Sequence, residues 1–369
     1  MQWMDERALV AATKPALVVL ETPELNAETP AHLLDDDITP AALLFARNAG
    51  TMPLVTPAEA PDWTLTIDGF VRTPRQWTVA ALRREFEPAT QVAVLECAGN
   101  GRAYFPDFAG VVLWHHGAVG CVRWTGVRLA DLLGACGLRP EAVYTAHHSP
   151  DVYVDTGTPA ISRGIPVAKA LAPETLIAFE LNGEPLPPLH GGPLRIVVPG
   201  YPGAASQKWL TRIELRDREH DGERMLDGHY RMPRMPLRYG DTFDPAAFEI
   251  ITDMPVRSLI TFPQDGFVGP RGVPLMARGH GWSGHVPLAK VEVSFDGARS
   301  WREAALGPLP QRFAWRRFEA VLADPPAGAV EIVARATDIE GRSQPLDSVS
   351  WNPRGYLNNL CHRVRGTIG

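Results

Sequence analysis

The sequence predicts an α+β protein in two parts: a mixed helix-and-strand domain over residues 1–245, then an immunoglobulin-like β-sandwich over 246–369. Three observations predict it. Loop chemistry is abundant, with 35 Pro and 33 Gly in 369 residues, which favours short strands and turns over long helices. Strands and helices follow one another through the first part in no regular strand–helix–strand order, which argues against a doubly wound sheet. From Ile250 onward short apolar runs come at close spacing with turns between them, as in a sandwich.

The elements follow in order. Residues 1–60 read as an extended, proline-rich lead-in with one short helical stretch near Ala41–Arg47. Trp63–Phe70 alternates as a strand and ends in a turn. Val79–Phe86 reads as a short helix, and Gln91–Leu95 as a buried strand. Leu129–Gly137 fits a helix closed by glycine. Ala142–His147 and Thr175–Glu180 read as strands around a short helix at Ile165–Leu171, and Leu194–Val198 as a fully apolar strand. The second part offers strands at Leu259–Phe262, Lys290–Phe295, Arg312–Ala320 and Glu331–Thr337, with Asp296-Gly297 as a hairpin-type turn.

Composition narrows the function. The net charge is −6 and the cations are scattered, so no nucleic-acid partner is expected. An anionic substrate then needs a local basic pocket. The cysteines Cys97, Cys121, Cys136 and Cys361 form no CxxC pair and no CxxCH haem site, so reduced thiols, a cytoplasmic location and no haem are expected. The start, Met1–Arg7, is acidic where a signal peptide is basic. No window approaches the roughly 18 apolar residues of a membrane span.

Cys97 is the most informative residue. It stands in Glu96-Cys97-Ala98-Gly99-Asn100-Gly101-Arg102, directly after a buried apolar run. A thiol at a strand end, on a tight turn and beside a cation, suits a thiolate ligand or nucleophile; a buried structural cysteine is the plain alternative. A hydrolase would add a histidine base, for which His115, His116, His147, His148 and His190 are candidates. His190-Gly191-Gly192-Pro193-Leu194-Arg195 and Ser206-Gln207-Lys208-Trp209 flank one apolar strand and suit a phosphate, or are a loop with solvated cations. In Phe45-Ala46-Arg47-Asn48 the arginine is an anion ligand or a snorkelling surface residue. Asp35-Asp36-Asp37 reads as a solvated loop.

Taken together in order, these segments resemble the sulfite oxidase family of molybdopterin enzymes. Cys97-Ala98-Gly99-Asn100 with Arg102 is similar to its molybdenum-ligand motif, continued by Trp114, Gly117-Ala118 and Arg123-Trp124-x-Gly126-Val127. His190 to Arg195, Val197-Val198-Pro199-Gly200 and Lys208-Trp209-Leu210 resemble its pterin-phosphate segment. Phe45-x-Arg47-Asn48 resembles its N-terminal cofactor motif. Gly281-Trp282-Ser283-Gly284, Trp351-Asn352-x-Arg354-Gly355 and His362-Arg363-Val364 look like its C-terminal domain.

The resemblance implies a molybdenum–molybdopterin cofactor bound through Cys97, and oxidation of sulfite to sulfate by oxo transfer. Thiolate softness suits that metal. It implies that Phe45, Arg47, Asn48, Asp151, His190, Arg195, Ser206 and Lys208 contact the cofactor, with Asp155 competing for the place of Asp151. Arg47 and Arg102 would form a basic pocket for a small anionic substrate, Trp114 its wall, and Tyr230 the active-site tyrosine. It further implies an external electron acceptor and a homodimer through the sandwich.

Three departures bear on the substrate. Ala49 stands where the family has histidine, Gly101 where an arginine is common, and His285 near where vertebrate-type enzymes carry an anion-binding arginine. His285 would replace that charge only when protonated. Another small oxyanion or oxo-transfer substrate, or a non-catalytic binding role, are the alternatives.

Overall fold

A computed structural model describes residues 5–20, 24–56, 58–105, 108, 111–153 and 155–369. The start Met1–Met4 lies outside the described residues. Among the described residues no helix is long and apolar enough to cross a membrane.

The first part is organised on a long antiparallel hairpin. Strand Pro88–Glu96 pairs with Val119–Arg128 in register from Pro88↔Val127 to Glu96↔Val119. Val119–Arg128 then pairs with Leu176–Leu181, which carries Arg195–Val197. Strand Pro88–Glu96 begins exposed and ends buried, so its apolar end runs into the interior and delivers Cys97 there. A second sheet sets Thr64–Gly69 between Arg75–Thr78 and Arg212–Arg216, the latter parallel to it, with Tyr144–His148 at the far edge. Two helices close the core between the sheets. Val79–Glu85 starts under Thr78, whose hydroxyl accepts from the Ala81 amide; Leu129–Cys136 ends at Gly137. Leu65, Ile67, Leu82, Leu132, Leu133 and Ile213 are fully buried there, each contributing about 1.5–3 kcal/mol.

The second part is a two-sheet sandwich. One sheet runs Arg257–Phe262, Leu275–Trp282, Arg316–Leu322, Ala305–Leu306. The other runs Phe267–Gly269, His362–Ile368, Gly328–Asp338, Leu288–Ser294, Arg302–Glu303. Ile260, Phe318, Val291, Val293, Ile332 and Val364 fill the space between them. No disulfide staples it: all four cysteines are free and buried.

Several local expectations change. A helix, Glu6–Thr13, occupies the lead-in that reads as extended; the Asp5 carboxylate caps it by accepting from the Arg7 and Ala8 amides. The stretch Ala41–Arg47 is one 3₁₀ turn, Ala41–Leu43, followed by a strand at Ala46–Arg47 that pairs with Asn26–Glu28. Asp296-Gly297 does not make a two-residue hairpin. The strands resume pairing at Val293↔Arg302, and the Asp296 carboxylate accepts from the Arg299 and Ser300 amides to hold a wider loop. The acidic run is not a free loop either. Asp35 pairs with Arg278 and Arg317, Asp37 with Arg317, fastening the first part to the sandwich.

The two parts share a buried seam. Leu34, Val92, Val119 and Cys121 pack against Leu259, Trp282 and Trp315, and the Val94 amide donates to the Phe313 carbonyl. Strand Arg231–Pro233 pairs with Phe248–Ile250 across position 245.

Candidate active site

The apolar strand ends at Glu96, which is 1% exposed and carries a carboxylate. One oxygen accepts from Asn100 Nδ2 and from Arg257 Nη1, both at 2.9 Å; the other accepts from Trp282 Nε1 at 2.8 Å. Arg257 also donates to the Asn100 carbonyl, and Asn100 Oδ1 accepts from the Ala118 amide. The Cys97 loop is therefore pinned at its root by two side chains from the sandwich. A carboxylate taken out of water is costly unless donors of this kind surround it.

Two glycines shape the loop. A Cβ on Gly99 would lie 2.4 Å from the Arg102 guanidinium, so glycine lets Arg102 fold back over the loop. Gly101 has φ +84°, and a Cβ there would press on Asn358 and Arg257 at 3.2–3.3 Å. This accounts for glycine at a position where the family commonly has arginine.

Cys97 faces a cavity also lined by Phe45, Arg47, Ala49, Asp151, Ile161, His190, Arg195, Ser206, Gln207, Lys208 and Tyr230. Every residue expected at the site is in or against it except Asp155, which is exposed on an outer cavity. Three expectations need adjusting. Arg102 is not a lining residue: it folds back over Gly99 of the Cys97 loop. Trp114 is not a wall of the cavity: it is 1% exposed and meets Phe45 edge-on at 6.2 Å, so it backs the wall. Asn48 lies behind the lining, where its Oδ1 accepts from Lys208 Nζ.

One end of the cavity is a cluster of donors. Arg195 Nη1 donates to the His190 carbonyl at 2.9 Å, and Lys208 Nζ to the Leu189 carbonyl at 2.8 Å. Their remaining capacity is unspent: His190 Nε2, Arg195 Nε and Asn48 Nδ2 are buried with no partner. Burial and the neighbouring cations Lys14, Lys208 and Arg195 hold His190 well below its usual range. Burial takes Arg195 down to about 9. Burial, then Arg195, takes Lys208 down to about 7 against the pull of Glu6 and Asp151. A phosphate dianion among these groups would satisfy the free donors and reverse the shifts. The donor set fits the phosphate end of molybdopterin.

Cys97, Arg47 and Tyr230 also line the cavity, and Arg102 packs against the Cys97 loop. Arg47 shares Glu24 with Arg224, at 3.0 and 2.7 Å. Burial weakens the Arg47 charge, but the Tyr230 phenol and Glu24 outweigh it and hold its pKa high. Arg102 donates to the Arg354 and Val112 carbonyls at 2.8 Å each; burial pulls its pKa down against the neighbouring Cys97 and Tyr356. Asp151 accepts from Ser149 at 2.5 Å and is raised by burial. Among the described residues no three His, Cys, Asp or Glu side chains gather as a metal site. A metal held by Cys97 would need its other ligands from outside these side chains.

The histidines do not form a nucleophilic pair with Cys97. His115 binds Glu28; His116 stacks on Tyr104; His147 bonds Thr145; His148 faces Glu214. His285 points to neither end of the cavity. It is 40% exposed and sits between Asp253 and Glu340. Sequence reading misses Glu96, Arg163, Glu24, Arg224, Arg257 and Tyr356. Only Glu96 stands in a short motif, next to Cys97, and a glutamate at the buried end of an apolar strand is itself a signal.

A strand-end cysteine facing a phosphate clamp across one cavity, with a β-sandwich behind it, defines a molybdopterin-dependent oxidoreductase. Family comparison agrees: residues 50–224 match the "Oxidoreductase molybdopterin binding domain" and 248–368 the "Mo-co oxidoreductase dimerisation domain". The chain is 35% identical to chicken (Gallus gallus) sulfite oxidase over 95% of its own length and 77% of the relative's. It is 32% identical to Arabidopsis thaliana sulfite oxidase over 96% and 95%. It spans 65% of the length of several animal mitochondrial relatives. Among solved structures it is similar to the sulfane dehydrogenase SoxCD of Paracoccus pantotrophus, with TM-score 0.81, 25% identity and coverage of 98% and 92%. The chain belongs to the sulfite oxidase family.

Proposed function

We propose that this enzyme oxidises sulfite, or a closely similar small sulfur oxyanion, to sulfate. The carrying observation is that Cys97, Arg47 and Tyr230 line one cavity with the buried donors His190, Arg195 and Lys208, while Arg102 packs against the Cys97 loop. The bound molybdenum cofactor would supply the two-electron oxo transfer. The chain's own residues bind and orient. His190, Arg195, Lys208 and Asn48 would hold the pterin phosphate, while Asp151 and Ser206 line the cavity beside them. Cys97 would present its sulfur to the metal from a loop that Glu96 fixes. Arg47 and Arg102 would draw in the anion, and the Tyr230 hydroxyl would donate to it.

Electrons would leave to an external acceptor, and the sandwich would pair two copies of the chain as a homodimer. The four unpaired cysteines support a reducing, cytoplasmic setting. A different sulfur substrate is favoured by one observation: His285 stands away from the cavity, held by Asp253 and Glu340, so it is no substitute for the family's arginine. The test is metal and pterin analysis of the purified protein with sulfite-dependent reduction of a dye. Full molybdenum loading without sulfite turnover would overturn the substrate and leave the cofactor; absence of molybdenum would support a non-catalytic binding protein.

A further inference from the structure

Beside the cavity four side chains form a continuous stack. The Arg102 guanidinium carbon lies 5.4 Å from the Tyr356 ring centre, Tyr356 stacks on Tyr230 at 5.3 Å with 11° between planes, and the Arg163 guanidinium carbon lies 4.6 Å from the Tyr230 ring centre. The stack crosses the seam, since Tyr356 comes from the second part. Tyr230 is held in it with φ +52°, a backbone conformation that ordinary residues avoid.

Arg163 is the unusual member. It is 1% exposed, and among the described residues neither it nor Arg102 has a carboxylate partner. Its Nη1 donates to the Arg224 carbonyl, while its Nε is buried with no partner. Its backbone amide donates to Gln207 Oε1, and Gln207 and Ile161 both line the cavity. Elsewhere in the site positive charges have at least a shared anion: Arg47 and Arg224 share Glu24, which leaves one charge in excess, and the clamp faces the cofactor phosphate in the proposed reading. The buried guanidiniums Arg102 and Arg163 have no carboxylate at all among the described residues. Burying such charges without an anion is costly.

We propose that Arg163 is a specificity-determining positioning residue: acting through the Tyr230 ring, it supplies a further unmatched charge that makes the site select a dianionic oxyanion over a monoanion. A cation on the face of a phenol draws ring electron density toward itself. The hydroxyl at the ring edge is thereby a stronger donor, and the added positive potential favours the doubly charged ligand more than the singly charged one. The inference rests on the proposed oxyanion chemistry of this cavity.

The test uses the molybdenum-loaded enzyme with Arg163→Gln and Arg163→Lys, and His285→Ala as the control. Sulfate and nitrate serve as inert dianionic and monoanionic probes, with molybdenum and pterin measured on every preparation. In Arg163→Gln sulfate affinity is expected to fall about tenfold, the loss expected for one desolvated cation–ring contact, and sulfite KM to rise in parallel. Nitrate affinity, kcat and cofactor content should change little. Arg163→Lys should restore most of the sulfate-over-nitrate preference. Equal losses for both anions, or no loss for either, would overturn the inference. Should Arg163→Gln not fold, the wild type still decides it: a loaded enzyme with no preference for sulfate over nitrate refutes it. A wild type that prefers sulfate yet does not turn over sulfite refutes the substrate reading and leaves this inference standing.

Discussion

The two ends of the cavity are built in opposite ways. The clamp end takes His190, Arg195, Ser206 and Lys208 from one stretch folded around the strand Arg195–Val197, with Asn48 reaching Lys208 from outside it. The open end takes Arg47, Cys97 and Tyr230, backed by Arg102, Arg163 and Tyr356, from segments scattered over the chain, one of them in the sandwich. The first is a mostly local device suited to a phosphate. The second is complete only once both parts are packed.

The sharpest way to break this comparison is at Cys97. Cys97→Ser should lose turnover altogether while keeping the pterin, because the clamp is untouched; metal and pterin analysis beside dye reduction checks it. An active mutant would overturn the ligand assignment. Next in size is the root of the loop. Glu96→Ala leaves Arg257 buried and unpaired, and should destabilise the fold by about 3–5 kcal/mol in denaturant unfolding, with the open end disordered first.

At the clamp, Arg195→Ala or Lys208→Ala should weaken cofactor retention by about 10–100-fold each, the range for a charge-assisted hydrogen bond, with KM for the anion unchanged in the molecules that keep it. Retention is read from pterin per chain after dialysis. A smaller effect follows from pH. In cofactor-free protein Lys208 titrates near 7 instead of its usual 10.5, with Asp151, Glu6, Arg195 and Arg47 as its charged neighbours. Between those two values the unfolded chain binds the extra proton, so stability should rise with pH across that window. Lys208→Met should flatten the rise in thermal melts. The least effect is expected from His285→Ala: a loss under about 1 kcal/mol, as for exposed ion pairs, and no change in KM. A large KM change would return His285 to the site.

The same contrast explains what is legible in the sequence. Cys97, the clamp and the strands leading to them stand in short motifs whose meaning is local, so the residues alone disclose them. Arg163 is not legible in this way. Its Ile161-Ser162-Arg163-Gly164 surroundings carry no pattern, and its importance comes from Tyr230 and Tyr356, both distant along the chain. Trp114 is legible as part of a motif, but not that Phe45 stands between it and the cavity. The helix Glu6–Thr13 is obscured because its flanking loops dominate the composition of the lead-in, although Asp5 offers a cap. The Asp35–Asp37 run reads as solvated because its partners, Arg278 and Arg317, lie in the other part of the chain.

The Glu96 carboxylate, held by Asn100 on its own loop and by Arg257 and Trp282 across the seam, has a consequence for how the molecule comes apart. Neither part can melt without stranding a buried charge in the other, so heating should produce a single calorimetric transition for the whole chain, not one per part. An isolated first half, expressed without the sandwich, should carry a water-filled notch at the end of strand Pro88–Glu96 and a thiol that reacts freely with alkylating reagents.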